Sequence, residues 1–267
     1  MLLFDGAKRL TVKPNCIMNN KLISVEAQRI RYDKEAGVYE KHHGNELNQK
    51  YRDLFIREKI LDFDLKGKEV LDGMCASGIE TGFLLSRGAL VTGLDISGNN
   101  IALYKSKWSC TSHVASIHQT GLPNETFDVV YIFGGLHHVI PLLNETMHEI
   151  HRILKPGGYF VFVEPNKDTF ANKFRELWYK ADSRFQADEQ ALSYPELANT
   201  YLGKLFVDDK TIYGGNIAYL LIAQSLILGI PEVIKLLMFR VLFFIEQTIG
   251  ATNLLPKLFF AARWKKL

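Results

Sequence analysis

Length, composition and charge restrict the kind of protein that this chain can be. Its 267 residues suit one domain of ordinary size with some additions and can bury a sizeable core. The 32 Lys and Arg residues exceed the 29 Asp and Glu residues only slightly, so net charge alone does not indicate a nucleic-acid-binding protein.

The cysteines argue against a secreted, disulfide-stabilised protein. Cys16, Cys75 and Cys110 are few and widely spaced, and they form no CxxC pair that could bind zinc. The N-terminus has no apolar segment of signal-peptide length. We therefore expect a cytoplasmic protein, with Cys75 acting as a small buried apolar residue.

The first 62 residues are predicted to form an N-terminal segment and a helical cap. Residues 26–62 are polar and largely helical in pattern, and they include Tyr32, Tyr39 and Tyr51. We expect this cap to contribute to a substrate pocket together with residues 170–213.

Residues 63–216 are predicted to form the core of the protein. Apolar runs at 69–74, 90–97, 127–139 and 159–166 have the character of strands, and residues 78–88 and 144–158 have the pattern of amphipathic helices. Strands that alternate with helices indicate an α/β fold with a doubly wound, mostly parallel sheet. In such sheets ligands bind at the carboxyl ends of the strands, where Asp72, Asp95, His137, His138 and Glu164 are expected.

The turn after the first predicted strand distinguishes between cofactors. Three alternating positions of this turn carry Met74, Ala76 and Gly78. Met74 and Ala76 argue against a pyrophosphate-binding turn, and no Lys-Ser or Lys-Thr pair follows for a phosphate loop. S-adenosylmethionine has no phosphate and makes a looser demand on the turn, because Met74 can point its side chain into the sheet.

The order of motifs over roughly residues 50–165 resembles the class I S-adenosylmethionine-dependent methyltransferases. The resemblance is carried by VLDGMCASG, GLDIS, LPNETFDVVYIFGGLHHV and ILKPGGYFVFVEP. It implies that Asp72 opens the turn and that Asp95 accepts hydrogen bonds from the ribose hydroxyls, which agrees with an acid about 20 residues past a glycine turn. Gln119 stands near the position where many family members have an acid for the adenine amine. The cofactor-binding residues implied in this way are Asp72, Gly73, Met74, Ala76, Gly78, Asp95, Ile96, Gln119 and Phe133.

Two adjacent histidines are the candidate catalytic residues. Imidazole can accept a proton near neutral pH, so His138, and with less weight His137, is a candidate general base. A structural role beside the cofactor is the alternative reading. His137, His138 and His148 lack a compact metal-ligand spacing with carboxylates, so no metal site is expected.

Residues 217–267 are predicted to form an apolar helical extension. The apolar run at 217–230 would span only about 21 Å as a helix, against a hydrocarbon core of about 30 Å. Residues 232–247 have an amphipathic pattern, and residues 254–267 combine aromatic, aliphatic and basic residues. This composition is typical of a helix at a membrane surface, but equally of one that seals a core or a dimer.

These observations favour an enzyme that methylates the oxygen, or less readily the nitrogen, of a small or lipid-linked acceptor. A methyltransferase-like protein that binds without turnover is the first alternative, with Met74 as its support. A nucleic-acid methyltransferase is disfavoured, because no basic patch with interleaved aromatic residues is found near the site. No nucleic-acid partner is therefore expected.

Overall fold

The computed structural model describes residues 14–36, 44–173, 190–223, 230–248, 250, 252 and 255–267. Its helices precede the first strand of a single sheet and connect later strands. Helix α2 begins after Asn45, whose side chain accepts a hydrogen bond from the backbone N–H of Asn48. The helical segments before the sheet are α1 (Pro14–Glu35), α2 (Glu46–Arg52), a π-helical turn (Asp53–Arg57) and α3 (Glu58–Ile60).

The sheet has seven strands in the order β3-β2-β1-β4-β5-β7-β6. The strands from β3 to β5 are mutually parallel, and β7 is antiparallel to both of its neighbours. This arrangement confirms the predicted α/β class and the mostly parallel sheet. The strands are β1 (Glu69–Gly73), β2 (Leu90–Asp95), β3 (Thr111–Val114), β4 (Phe127–Phe133), β5 (Leu154–Pro165), β6 (Phe206–Gly214) and β7 (Phe259–Lys266).

Apolar cores cover both faces of the sheet. Successive residues of a strand point to opposite faces, so Phe160 and Phe162 of β5 join one core while Val161 and Val163 join the other. The helices after β1 are α4 (Thr81–Ser86), α5 (Gly98–Lys107), α6 (Leu143–Ile153), α7 (Tyr194–Tyr201) and α8 (Glu232–Thr248); short turns are formed by Leu136–His138, Ile140–Leu142 and Tyr219–Ala223.

The prediction of a helical C-terminal extension is wrong for the last residues of the chain. Strand β7 lies inside the sheet between β5 and β6, with Phe162 opposite Ala262. Its alternate side chains enter the two cores, Phe259 on one face and Phe260 on the other. A strand that is buried on both faces reads as a continuous apolar run, and periodicity alone does not distinguish it from a buried helix.

Two of the three basic residues of β7 are engaged within the fold, while Lys265 is exposed. Arg263 pairs with Asp62 at 2.6 Å and with Asp209, and the Lys266 ammonium group donates to the carbonyl oxygen of Leu154 at 2.7 Å. The side chains of Arg263 and Lys266 are mostly buried. They therefore do not form the basic surface for membrane contact that the sequence suggested.

Other boundaries also differ from the sequence-based expectation. The strand predicted at 127–139 ends at Phe133. The helix that begins at 144 was predicted to stop at Pro156 and Gly157, but it ends at Ile153 because β5 already begins at Leu154. Strands β3 and β6 were not predicted. Of the residues predicted as a helix at 217–230, the structure describes 217–223, which are helical, and residue 230.

Helix α8 is amphipathic, as predicted, but it directs many apolar side chains outward. Val233, Leu237, Val241 and Phe244 are 62–78% exposed and follow the i, i+4, i+8, i+11 spacing of one helix face. We call these four residues the apolar stripe. No helix of the described segments combines the length and the apolar character that would carry it across a bilayer.

Candidate active site

The turn after β1 takes a backbone conformation that explains its spacing of small residues. Met74, Ala76 and Gly78 have φ values of 57°, 47° and 83°, which lie in the left-handed region that favours glycine. Each non-glycine residue there costs roughly 1–2 kcal/mol. The three alternating positions recognised in the sequence therefore need a left-handed backbone conformation. Only one of the three positions carries glycine in this chain.

Close packing around the turn disfavours any side chain at Gly73 and Gly78. A Cβ atom on Gly78 would lie 2.4 Å from Nε1 of Trp108, and one on Gly73 would lie 3.2 Å from side-chain atoms of Ile117 and Ile132. The Met74 side chain packs against Gly135 and the apolar core on that face of the sheet. Met74 thus points into the protein, as the sequence analysis suggested.

Asp95 holds the turn from the end of β2. One carboxylate oxygen accepts the N–H of Ala76 at 2.9 Å, and the other accepts the N–H of Ser97 at 2.8 Å. The side-chain amide of Asn100 also donates to Asp95. Burial raises the pKa of Asp95, against the hydrogen bonds from Ser97 and Ala76, which lower it.

Asp72 is a second buried carboxyl group at the same edge of the sheet. Thr81 donates its hydroxyl to one Asp72 oxygen at 2.6 Å. Burial raises the pKa of Asp72 to about 7, while the Thr81 hydrogen bond lowers it. A carboxyl group that titrates near neutral pH within a ligand-binding edge is a candidate to meet a cation.

The two histidines follow β4 in a short helical turn. Nδ1 of His137 lies 2.7 Å from a carboxylate oxygen of Glu164, the penultimate residue of β5. The rings of His137 and His138 are 3.9 Å apart, and the His138 ring meets Tyr32 edge-on at 5.7 Å. The structure therefore brings both predicted catalytic residues together with Glu164.

Helix α1 lies across this edge of the sheet. At one end of the contact, Asp33 accepts the Ser97 hydroxyl at 2.6 Å and the Asn99 N–H at 3.2 Å. At the other end, Gln28 donates to the carbonyl oxygen of His138. Helix α1 thus reaches from the Asp95 side of the edge to the histidine pair.

A buried ion cluster that the sequence analysis missed supports the site from one face. Glu80 pairs with Arg52 at 2.6 Å and with Arg57 at 2.7 Å, and the Tyr131 hydroxyl also donates to Glu80. The Arg52 guanidinium lies over the ring of Phe133, 4.4 Å from its centroid. Charges spread over α2, the π-helical turn and the start of α4 have no local spacing that reveals such a cluster.

The other predicted residues have mixed positions. Ile96 and Phe133 are half-buried at the strand ends, and Gln119 is exposed in the loop after β3. Their contacts with a cofactor stay predictions, as do those of Asp72, Gly73, Met74, Ala76, Gly78 and Asp95. The described residues contain no cluster of His, Cys, Asp or Glu able to hold a metal ion.

The predicted acceptor pocket is only partly described. Tyr51 is fully buried and donates to Glu246, so it belongs to the core and not to a pocket wall. Tyr194 is buried against Phe260 and Trp264. Tyr39 and residues 174–189 lie outside the described residues.

Fold and site together define a class I S-adenosylmethionine-dependent methyltransferase. Residues 71–162 match the methyltransferase domain family. An uncharacterized methyltransferase of Synechocystis is 30% identical over 158 residues, which are 56% of this chain and 72% of that protein. The chain belongs to this methyltransferase family and is an enzyme of that class.

Two further relatives have names that refer to quinones. A demethylmenaquinone methyltransferase of Staphylococcus epidermidis is 33% identical over 111 residues, covering 39% of this chain and 46% of the relative. A ubiquinone biosynthesis O-methyltransferase of Pseudomonas syringae is 33% identical over 117 residues, covering 42% and 50%. The chain thus spans about half the length of these two relatives.

A solved structure confirms the fold. An S-adenosylmethionine-dependent methyltransferase from Archaeoglobus fulgidus superposes with a TM-score of 0.58 at 20% identity, covering 85% of this chain and 97% of that one. The residues of this chain fit the cofactor of the class. Two buried carboxyl groups, Asp72 and Asp95, flank a left-handed turn at the strand ends, which suits a ligand with a cationic amino-acid end and a ribose diol.

The raised pKa of Asp72 predicts that cofactor affinity depends on pH. A cation near Asp72 favours its carboxylate form, so binding should release a proton where free Asp72 is protonated. Because the pKa of free Asp72 is about 7, affinity is expected to rise up to tenfold per pH unit below pH 7 and to level off above it. Calorimetric titration from pH 5.5 to 7.5 measures this slope.

The matched variant for this experiment is Asp72→Asn, which can still accept the Thr81 hydroxyl. It should bind more weakly at pH 7.5 and show little dependence on pH. Equal slopes for the variant and the wild-type protein would assign the pH dependence to another group.

Proposed function

We propose that this methyltransferase methylates a hydroxyl oxygen of an amphipathic, quinone-like acceptor held at a lipid surface. The observation that carries the acceptor class is the apolar stripe on α8, whose four side chains are mostly exposed. The names of the relatives, which refer to demethylmenaquinone and to ubiquinone biosynthesis, supply the quinone-like head group.

The stripe belongs to a helix that is fixed at the edge of the sheet where the site lies. Glu246 of α8 accepts the N–H of Asn216, which follows the end of β6, and the hydroxyl of Tyr51 in α2. That end of β6 lies beside Phe259 and the carboxyl end of β5. A bilayer that contacts the stripe would therefore lie near the strand ends that carry the candidate site.

The orientation of polar residues on α8 also favours a lipid surface. Lys235 and Glu246 are buried although their side chains are polar, whereas the stripe faces outward. Exposed apolar patches of this kind mark interaction sites. A lipid surface accounts for this arrangement together with an acceptor whose apolar part stays in the bilayer while its head group enters the site.

The reaction that the site would support is an in-line transfer. When bound, S-adenosylmethionine supplies a methyl group that the acceptor oxygen attacks while the electron pair of the breaking carbon–sulfur bond goes to sulfur. Asp72, Asp95 and the turn would hold the amino-acid and ribose parts, and α1 would exclude water. Positioning of the two reactants is thus the main contribution of the chain.

The test uses cofactor carrying a radiolabelled methyl group and a quinone that carries a free ring hydroxyl group in place of its methoxy group, embedded in vesicles that contain anionic lipid. We expect labelled methyl ether, and we expect Val241→Ser combined with Leu237→Ser to lower the rate at least tenfold. Each apolar side chain contributes about 1.5–3 kcal/mol when fully buried, so partial burial of both in lipid already exceeds the roughly 1.4 kcal/mol that corresponds to a tenfold change. A water-soluble short-chain quinone should be methylated equally well by both proteins.

The matched control is Val207→Ser, which removes another exposed valine from the start of β6, at the opposite end of the strands from the candidate site. It should not change the rate with vesicles. If the wild-type protein and the stripe variant methylate the vesicle-bound acceptor at the same rate, the stripe does not contact a lipid surface during the reaction. If the cofactor binds but no quinone-like acceptor is methylated, the acceptor class is wrong, and a nucleic-acid substrate becomes the next test.

A further inference from the structure

Glu164 is placed to control the protonation of His137. Its side chain is completely buried, and one oxygen accepts the backbone N–H groups of Gly135 and Leu136 at 2.9 and 2.7 Å. The other oxygen lies 2.7 Å from Nδ1 of His137. All the described contacts of this carboxylate therefore lie within the short segment that carries the histidine.

The hydrogen-bond pattern determines which ring nitrogen of His137 carries the proton. An ionised carboxylate offers only acceptors, so Nδ1 must be the donor in the contact with Glu164. A neutral imidazole with its proton on Nδ1 has an unprotonated Nε2. That nitrogen can accept a proton, as in the general bases that a carboxylate orients.

We propose that His137 is the general base of the methyl transfer and that Glu164 is the positioning residue that sets its tautomer. This inference rests on the proposed O-methylation. The acceptor O–H bond breaks as its proton moves to Nε2 of His137, and the oxygen forms the new bond to the methyl carbon while the carbon–sulfur pair leaves with sulfur. The imidazolium that forms is stabilised by Glu164 and then releases its proton to water.

The proposal reverses the order of the two histidines expected from the sequence. His138 had the greater weight, but in the structure its ring packs against Tyr32 and its backbone carbonyl accepts from Gln28. The carboxylate contact belongs to His137. His138 is left with a role in the contact between α1 and the site.

The decisive variant is Glu164→Gln, because the amide can take only one orientation. Its oxygen must face the N–H groups of Gly135 and Leu136, since an NH₂ group there would oppose two donors. The NH₂ group then faces Nδ1 of His137 and makes that nitrogen an acceptor. The proton is forced onto Nε2, and the base is lost while the shape of the side chain is kept.

Two measurements test whether Glu164→Gln moves the proton of His137 from Nδ1 to Nε2. NMR of ¹⁵N-histidine-labelled protein without cofactor should show His137 with its proton on Nδ1 in the wild-type protein and on Nε2 in Glu164→Gln. In steady-state assays, Glu164→Gln and His137→Gln should each lower kcat about 10²- to 10⁴-fold, with cofactor affinity within twofold of wild type. His148→Gln removes an exposed histidine of α6 and serves as the control.

The possible outcomes separate this inference from the proposed function. The NMR measurement needs no acceptor, and wild-type protein with the proton of His137 on Nε2 would overturn the inference even if Glu164→Gln fails to fold. Wild-type turnover retained by Glu164→Gln or His137→Gln would overturn it as well. A tautomer that switches as expected, in a protein that methylates no quinone-like acceptor, would support the pairing and reject the acceptor.

Discussion

Replacing Glu80 with glutamine is expected to lower the free energy of unfolding by about 3–5 kcal/mol, the usual cost of removing one partner from a buried ion pair. Arg52 and Arg57 both pair with Glu80, and all three side chains are less than a tenth exposed. Glutamine leaves two guanidinium groups buried beside a neutral amide. The cost is the desolvation of charges that no longer have their partner.

The pH dependence of stability gives an independent check of the same cluster. The neighbouring arginines lower the pKa of Glu80 from 4.5 to about 2, against the burial that would raise it. Because the folded pKa is the lower one, the contribution of Glu80 is complete above the unfolded pKa and is lost as pH falls from about 4.5 to about 2. This difference between the unfolded and folded pKa of Glu80 corresponds to about 3 kcal/mol in the free energy of unfolding.

Urea unfolding at several pH values measures both effects. The wild-type protein should exceed Glu80→Gln by several kcal/mol near pH 7, and the difference should shrink as pH falls toward 3. Glu26→Gln removes an exposed partner of Arg29 and should change stability by less than about 1 kcal/mol. Equal stabilities of Glu80→Gln and Glu26→Gln would show that the cluster is not the support that its burial indicates.

The parts of the fold that the sequence predicted are those with local signals. Strands β1, β2 and β4 are apolar runs that end in turns, and each is followed by a helical pattern. Strand β7 has the same composition as a buried helix, and only its pairing with β5 and β6 identifies it. Strand β3 has four residues of mixed polarity, which is too short for a periodic signal.

Some residues of the candidate site also have a local sequence signal, and others do not. Asp72 and Asp95 were predicted because they stand near the ends of two strand patterns at a characteristic spacing. Glu164 was placed at the correct edge, but its contact with His137 joins residues from two different strand ends, which only the parallel pairing of β4 and β5 brings together. The Glu80 cluster depends on the docking of α2 onto the sheet and has no sequence signature.

Asp95→Ala is expected to weaken cofactor binding by about 1.5–3 kcal/mol, which corresponds to roughly 10- to 150-fold in Kd. Two causes act together. The variant removes the acceptor assigned to the ribose hydroxyls, and it also releases the N–H groups of Ala76 and Ser97 that Asp95 holds. Ala76 has positive φ, so the turn loses an interaction that keeps it in a costly conformation.

A binding cycle separates these two causes. Calorimetry with the natural cofactor and with an analogue that lacks one ribose hydroxyl gives four affinities for wild-type protein and Asp95→Ala. If Asp95 accepts a hydrogen bond from that hydroxyl, the wild-type protein should bind the analogue more weakly than the natural cofactor. Asp95→Ala should bind the two compounds with nearly equal affinity, because the variant already lacks this hydrogen bond. Asp128→Ala is the matched control, because Asp128 also accepts a backbone N–H, that of Glu69, but near the amino end of β4. Asp128→Ala should leave all affinities unchanged. If the analogue binds more weakly than the natural cofactor by the same factor in wild type and in Asp95→Ala, Asp95 stabilises the turn and does not contact that hydroxyl.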